Sequence, residues 1–414
     1  MRILVLSDSF PPYNLGGAGE VADLVTNGLA ARGHDVLVVT GVAQRRRAGI
    51  EGRGSVTVRR LWLPVPVALR LHLGVLHPLA VAQVWGVAAA FKPDAIHVHN
   101  VHERLSFAAI AAARAASGAP LVLTAHDYLL FCLTKFLCSR GDVTSTAVPA
   151  TCPHCRHIRR MPKRNALVHR LVRQHVSTIA CISRAQRIAL AANGFADVPL
   201  EVVYNGIDPS SALPSAEEAD SFRQRHQLGE SGLVLFGGRI SGAKGGDQLL
   251  HAVVAARQRV ECRLAIAGDR EAYFAHARRL AAEVHLPAGA LHVLGWLGPA
   301  DLDAAFATAN VCATPSVYPD PFNLMTLRAM AHRKPVVGTC YGATPEIVVD
   351  GQTGFIADPW QPKAFGDRLA DLLLDPSLAR RMGEAGRGRL EQEFTLERQV
   401  LAYEALFSGQ AVAR

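Results

Sequence analysis

Cysteine is scarce, at 8 residues in 414, which excludes a small secreted scaffold built on disulfides. A charged-then-apolar leader is missing too. Arg2-Ile3-Leu4-Val5-Leu6 reads at once as a strand, so the expected location is the cytoplasm. Long unbroken apolar runs are also lacking. The most apolar stretch, Leu61 to Phe91, is interrupted by Pro64, Pro66 and Pro78 and carries Arg70, His72 and His77. A spanning helix needs about 20 uninterrupted apolar residues, so this stretch reads as a proline-broken loop followed by a helix near 78–91. Aromatic residues make up 6% and do not alternate with the basic clusters, so nucleic acid is not an expected partner.

What is present is ample core material and an uneven charge. Half the residues are hydrophobic and 19% are charged, which excludes a mainly disordered chain. The formal charge is +9. Residues 1–205 hold 23 Lys/Arg against 11 Asp/Glu, and residues 206–414 hold 21 against 24. The N-terminal half therefore suits an anionic or lipid-linked acceptor and peripheral contact with the inner face of a membrane; solubility alone is the plainer reading of the same excess.

Short Val/Ile/Leu runs alternate with helix-period stretches along both halves. Residues 2–7, 35–40, 95–99, 121–124, 178–182 and 200–203 read as strands buried on both faces, as do 233–238, 263–268, 291–294, 311–314 and 335–338. The pattern predicts an α/β protein of two doubly wound Rossmann-like domains facing across a cleft. The expected domains are 1–205 and 206–394, linked near Asn205-Gly206-Ile207-Asp208 ahead of a polar stretch at 209–231, with a C-terminal helix, about 395–414, packing back on the first.

Four loops carry the chemistry. Gly16-Gly17-Ala18-Gly19 lies between a strand and a helix, where backbone amides can approach a phosphate. Its distance from the strand, and the absence of an acid closing the next strand, argue against a dinucleotide fingerprint. Gly237-Gly238-Arg239 through Lys244-Gly245-Gly246 lacks Walker spacing, but Arg239 and Lys244 can hold a diphosphate from two sides. His126 follows the strand 121–124 and is placed to face a ligand. Asp320-Pro321-Phe322-Asn323-Leu324 opens a helix, so its amides point at an anion and Asp320 can hold sugar hydroxyls.

These motifs, with Tyr204-Asn205-Gly206-Ile207-Asp208, Ala267-Gly268-Asp269 and Ala329-Met330-Ala331, run in order along nearly the whole chain. The sequence resembles the family 4 retaining glycosyltransferases of the GT-B fold. The resemblance implies an acceptor-side N-terminal domain and a C-terminal domain that binds a nucleotide-diphosphate sugar. It implies that Gly16 and Gly17 lie against the donor phosphates and that Arg239 and Lys244 neutralise the leaving diphosphate. By the same resemblance, His126 touches the donor sugar, and Pro321, Phe322, Asn323 and Leu324 present backbone to the donor. Gly295-Trp296-Leu297 would border the base. The reaction implied needs no metal. Two positions depart from the family pattern: Asp320 replaces a Glu, and Arg328 stands where a second carboxylate would bind the ribose hydroxyls. An epimerase on the same frame, a chain inactivated by Arg328, or an enzyme coupling non-sugar pieces are the rival expectations.

Cys132, Cys138, Cys152 and Cys155 cluster, with His154 and His157 among them. A structural tetrahedral zinc is the expectation, with disulfides and free thiols as alternatives. Cys181, Cys262, Cys312 and Cys340 read as packed small hydrophobes. Arg156, Arg159, Arg160, Lys163, Arg164, Arg170 and Arg173 form a basic run, expected either as a solvated face or as a patch for a phosphorylated or lipid-linked acceptor.

Overall fold

The computed structural model describes residues 1–13, 16–134, 163–209, 213–238, 242–268, 271–410 and 412. These divide into two compact units: residues up to Thr134, from Lys163 to Gly206 and from Leu396 onward form the first, and Ile207 to Thr395 the second.

The first unit begins β1 (Arg2–Leu6), α1 (Gly17–Ala31), β2 (Asp35–Val42), β3 (Gly49–Arg53) and β4 (Val56–Trp62). Then come α2 (Arg70–Leu73), α3 (Pro78–Phe91), β5 (Ala95–Val98), α4 (Ala108–Ser117) and β6 (Leu121–Ala125). After the undescribed segment follow α5 (Arg164–His175), β7 (Thr178–Cys181), α6 (Arg184–Leu190) and β8 (Leu200–Val202). The strands form one sheet in the order β3-β4-β2-β1-β5-β6-β7-β8. All its pairings are parallel except β3 with β4. The reason is burial: Leu4, Leu6, Ile96, Val98, Leu121 and Leu123 pack on one face against Val84 of α3, Ile110 of α4 and Val168 of α5.

The second unit runs α7 (Ala216–Arg225), β9 (Gly232–Gly237), α8 (Gly246–Ala256), β10 (Cys262–Ala267), α9 (Glu271–Glu283) and β11 (Leu291–Gly295). It continues α10 (Pro299–Thr308), β12 (Val311–Thr314), α11 (Leu324–Ala331), β13 (Val336–Thr339), α12 (Thr344–Ile347), β14 (Gly354–Ala357), α13 (Pro362–Leu374) and α14 (Pro376–Glu393). Its sheet, β11-β10-β9-β12-β13-β14, is wholly parallel. The polar stretch after the link contains α7, whose start is fixed by a Ser215–Glu218 capping box.

The last helix, α15 (Leu396–Phe407), returns to the first unit. Gly28 of α1 is the contact point: a Cβ there would sit 2.6 Å from Val400 Cγ2. Glu404 receives Arg32 Nε at 2.8 Å and lies 2.7 Å from His34 Nε2.

The region read as a proline-broken loop begins as the end of β4 and then makes helical turns at Val67–Leu69 and in α2. Among the described residues no single helix is long and apolar enough to cross a membrane; Val67–Leu73 and Pro78–Phe91 pass that test only together, bent by 48°. Cys181, Cys262 and Cys312 are buried, and burial pushes their thiols up to about 12, 11 and 12. Cys340 departs from the expected packing and is exposed, because β13 ends at Thr339.

Candidate functional site

The carboxyl ends of the strands are where an open α/β sheet presents ligand-binding groups. Each unit is described at that edge.

In the first unit, β1 leads into Asp8 and β5 into His99. Asp8 is buried, and its carboxylate accepts the amides of Glu103 (2.6 Å), Arg104 (3.0 Å) and Leu105 (2.8 Å). Burial nevertheless raises the carboxyl to about 6, against the pull of those amides. The effect is to pin the loop after β5 to the end of β1. His126 follows β6, and its Nε2 lies 2.7 Å from His99 Nδ1 with the rings stacked. His97 packs 4.1 Å from His99 and bonds Thr124 Oγ1 at 2.8 Å, which in turn meets Tyr403 OH of α15 at 2.9 Å.

Burial holds all three imidazoles neutral: it lowers His126 to about 4 and His97 to about 3, and His99 lies well below its ordinary value. Their tautomers follow from what is unpartnered. His99 Nε2 is buried without a hydrogen-bond partner. An orphaned N–H is rarer in protein interiors than an orphaned acceptor. The favoured arrangement therefore puts the His99 proton on Nδ1, donating to His126 Nε2, and leaves His126 with an N–H at Nδ1. His126 is thus built as a neutral hydrogen-bond donor. Gly16 precedes α1 as its N-cap and brings no capping side chain, and both Gly16 and Gly17 are exposed. The first-turn amides of a helix so capped suit an anion.

In the second unit, β9 runs into the glycine loop. Arg239 lies outside the described residues. Gly245 caps α8 at φ 76, and a Cβ there would stand 1.8 Å from Pro315 O, so only glycine fits. This close approach sets Lys244 against the loop after β12. Lys244 Nζ lies 2.5 Å from Asp320 Oδ2, which also accepts Ser316 Oγ at 3.0 Å. The Asp320 side chain is 3% exposed and that of Lys244 is 25% exposed. Gly342, at φ 65, leaves room for the Asp320 backbone, whose carbonyl accepts the Ala343 amide at 2.9 Å. Pro321 and Phe322 follow, and Asn323 caps α11 by accepting the Met325 amide at 3.0 Å. Leu324 opens that helix. The structure thus joins Lys244 and Asp320 and sets Pro321 to Leu324 beside them.

Arg328 lies elsewhere on α11. Its Nη1 is 3.7 Å from Asp303 Oδ1 of α10, which also lies 3.5 Å from His332 Nε2. The reversed charge therefore faces an acid that sequence reading had not connected to it. Trp296 is 74% exposed beyond the end of β11. A cavity of about 670 Å³ in this unit is lined by Gly232, Asn310 and Pro335, at the amino ends of the strands, away from the glycine loop.

Of the cysteine cluster, Cys132 is buried as a free thiol, while Cys138, Cys152 and Cys155 lie outside the described residues. Among the described residues no three or more His, Cys, Asp or Glu side chains are placed to hold a metal ion. The basic run needs correction at Arg164. Arg164 is buried, bonded to Leu130 O and stacked 5.2 Å over Phe107, and burial lowers it to about 10. Arg173 is held by Asp197 at 3.0 Å. Arg164 is thus withdrawn from the surface, while Lys163 and Arg170 are exposed.

Comparison with known proteins matches the chain in two parts: residues 16–206 to the Glycosyl transferase 4-like domain, and residues 218–389 to Glycosyl transferases group 1. A GDP-mannose-dependent alpha-(1-6)-phosphatidylinositol monomannoside mannosyltransferase of Mycolicibacterium smegmatis is 31% identical over 53% of this chain and 58% of its own. The chain thus spans little more than half the length of that relative. A glycogen synthase of Mycobacterium tuberculosis is 26% identical over 95% of this chain and 91% of its own. Among solved structures, the sucrose-phosphate synthase of Thermosynechococcus elongatus superimposes with TM-score 0.77 at 20% identity, covering 99% of each chain. Anabaena Alr3699/HepE, solved in complex with UDP and glucose, gives TM-score 0.73 at 21% identity over 99% of each. With its two parallel sheets and its two successive family matches, the chain belongs to the glycosyltransferases of the GT-B fold, a 4-like domain followed by a group 1 domain.

Proposed function

We propose that the protein transfers a sugar, with retention of configuration, from a nucleotide-diphosphate donor to a hydroxyl of a glycan, lipid-linked or small-molecule acceptor. The observation that carries this reading is the Lys244–Asp320 pair at 2.5 Å, set at the carboxyl ends of β9 and β12 by a glycine that no other residue can replace. Fixed positive charge placed where a leaving group gathers negative charge lowers the barrier. Lys244 and Arg239 receive the diphosphate as the bond from its oxygen to the sugar C1 breaks. The acceptor oxygen bonds C1 from the same side, and its proton passes to the departing phosphate oxygen. Asp320 accepts from sugar hydroxyls, and His126 donates from Nδ1–H to another, so both act by positioning. His126 is neutral at physiological pH, which suits it to this work and not to that of a cationic acid.

Arg328 does not leave the ribose subsite without an acid. Asp303 beside it carries one, from α10 instead of α11. In this reading Asp303 accepts the ribose hydroxyls and Arg328 holds it in place. The test is a thermal-shift panel of nucleoside diphosphates and their sugars, with Lys244→Ala and Asp303→Asn beside the parent protein. A stabilising nucleotide should appear, should weaken in both variants, and should yield a transferred sugar. No stabilisation by any nucleotide at millimolar concentration rejects the reading.

A further inference from the structure

Helix α3 is a surface helix whose one polar side chain is the half-buried Gln83. Ala80, Val84, Val87 and Ala88 are buried against the sheet, as the spacing i, i+4, i+7 and i+8 requires. The residues that face away are apolar as well. Leu79 is 50% exposed and Trp85 48%, and Ala82, Gly86, Ala89 and Ala90 share their exposure. At Gly86 a Cβ would meet nothing within 4 Å, so the face is open. Two more apolar side chains extend it at the end where β4 finishes: Val67, 92% exposed, and Leu76, 55%. A helix that is apolar nearly all round belongs in a core or against lipid.

The charge around this face is mainly positive: Glu103 meets Arg70 and Asp94 follows Lys92, but the cations outnumber them. From residue 52 to residue 93 the chain carries five cations and no acid. Arg59 is exposed, and register puts it on the sheet face that holds α3: it pairs across to Val39, which packs with Val84 in the core. Arg70 precedes the helix and also reaches Glu103 at 3.4 Å, and Lys92 ends the helix as its C-cap. A second copy of the chain docking face to face would set these cations against their own kind. An anionic surface would meet them with opposite charge while taking up the apolar face.

We infer that α3 and the turn before it form a docking face for an anionic phospholipid surface, with Trp85 and Leu79 immersed among the acyl chains and Arg59, Arg70 and Lys92 at the headgroups. The inference adds to the transferase reading and rests on it in one respect: Val67 and Leu76 lie toward the carboxyl edge of the sheet, where Asp8 and His126 stand, so a lipid-borne hydroxyl would arrive on the substrate side. The membrane contact expected of the basic N-terminal domain is thereby given a place on this helix.

The test is sedimentation of the full chain with vesicles of phosphatidylcholine, alone and mixed with phosphatidylglycerol, for the parent protein, Gly86→Glu/Ala90→Glu, and Trp85→Phe. The parent should bind the mixed vesicles with a blue shift in tryptophan emission, bind the neutral ones more weakly, and leave the mixed ones as salt is raised. The double acidic variant should lose about tenfold or more in partitioning. Trp85→Phe should keep the binding and lose the shift. Both variants should keep the parent's melting temperature and its nucleotide-induced stabilisation, so failure here is separable from failure of the transferase reading. Equal partitioning of parent and double variant overturns the inference, as does absence of binding. Conversion of a parent dimer to a monomer by the double variant, seen by light scattering, also overturns it and assigns the face to a second copy.

Discussion

The two units carry the same kind of sheet and furnish its carboxyl edge in opposite ways. In the N-terminal unit the edge centres on three imidazoles held neutral by burial, and its Asp8 carboxylate is committed to three backbone amides. In the C-terminal unit the edge carries a Lys–Asp ion pair beside a glycine loop and a helix N-terminus. The difference teaches a division of labour. Neutral imidazoles suit the recognition of hydroxyls, whereas a fixed cation suits an anionic group.

The contrast can be broken first with acid. His97 and His126 have folded values near 3 and 4, below the ordinary 6.5, so the folded state binds fewer protons than the unfolded one as pH falls below 6.5. Their contribution is complete above that pH and is lost on the way down. At about 1.4 kcal/mol per group per pH unit, moving from pH 6.5 to 4.5 should remove on the order of 5 kcal/mol. Hydrogen exchange should show the N-terminal unit opening before the C-terminal one. If the C-terminal unit opens first, the imidazole cluster is not the acid-sensitive element.

Removing the charged edge comes next. Lys244→Met should lower turnover by about 100- to 1,000-fold, or roughly 3–4 kcal/mol, with the melting temperature nearly kept. Steady-state kinetics on the parent and variant decides it, and a loss below tenfold would make Lys244 a structural partner of Asp320 only.

Asp8→Asn is a smaller change inside the N-terminal edge. Its amide nitrogen cannot accept from the loop backbone, so one buried N–H is stranded and about 1–3 kcal/mol of stability should go. Denaturant unfolding measures it, and an unchanged midpoint would show that the loop does not depend on the carboxylate.

The smallest effect is the most specific. Nitrogen NMR of the parent should show His126 protonated at Nδ1 and bare at Nε2. His99→Asn keeps a donor near that nitrogen and should keep the tautomer, while His99→Phe should lose it. A His126 proton on Nε2 in the parent reverses the proposed donor role.

Much of this was legible in the sequence, and the gaps have physical causes. Parallel strands such as β1, β9 and β12 announce themselves because burial on both faces makes them continuous apolar runs. The β3–β4 hairpin escaped because Arg60 occupies an inward position of β4. That arginine is accommodated by Glu51 Oε1 and Pro11 O, each at 2.5 Å, partners its own strand does not reveal. Lys244 and Asp320 were both recognisable, each from its own loop, yet their pairing spans 76 positions and needs the Gly245 approach to bring them together. His97 and His99 left a faint signal, two polar residues at period two inside an apolar strand. Asp303 left none, since it reads as an ordinary acid in the first half of a surface helix until Arg328 is set against it.

The closing helix has a consequence for how the protein is made. Tyr403 and Val400 belong to the fold begun by residues 1–206, but they are translated after the whole of the second unit. The N-terminal half must wait on the ribosome with its docking groove for α15 empty while the entire second unit is synthesised. A message truncated before codon 396 would yield a protein with a finished C-terminal lobe and an incomplete partner.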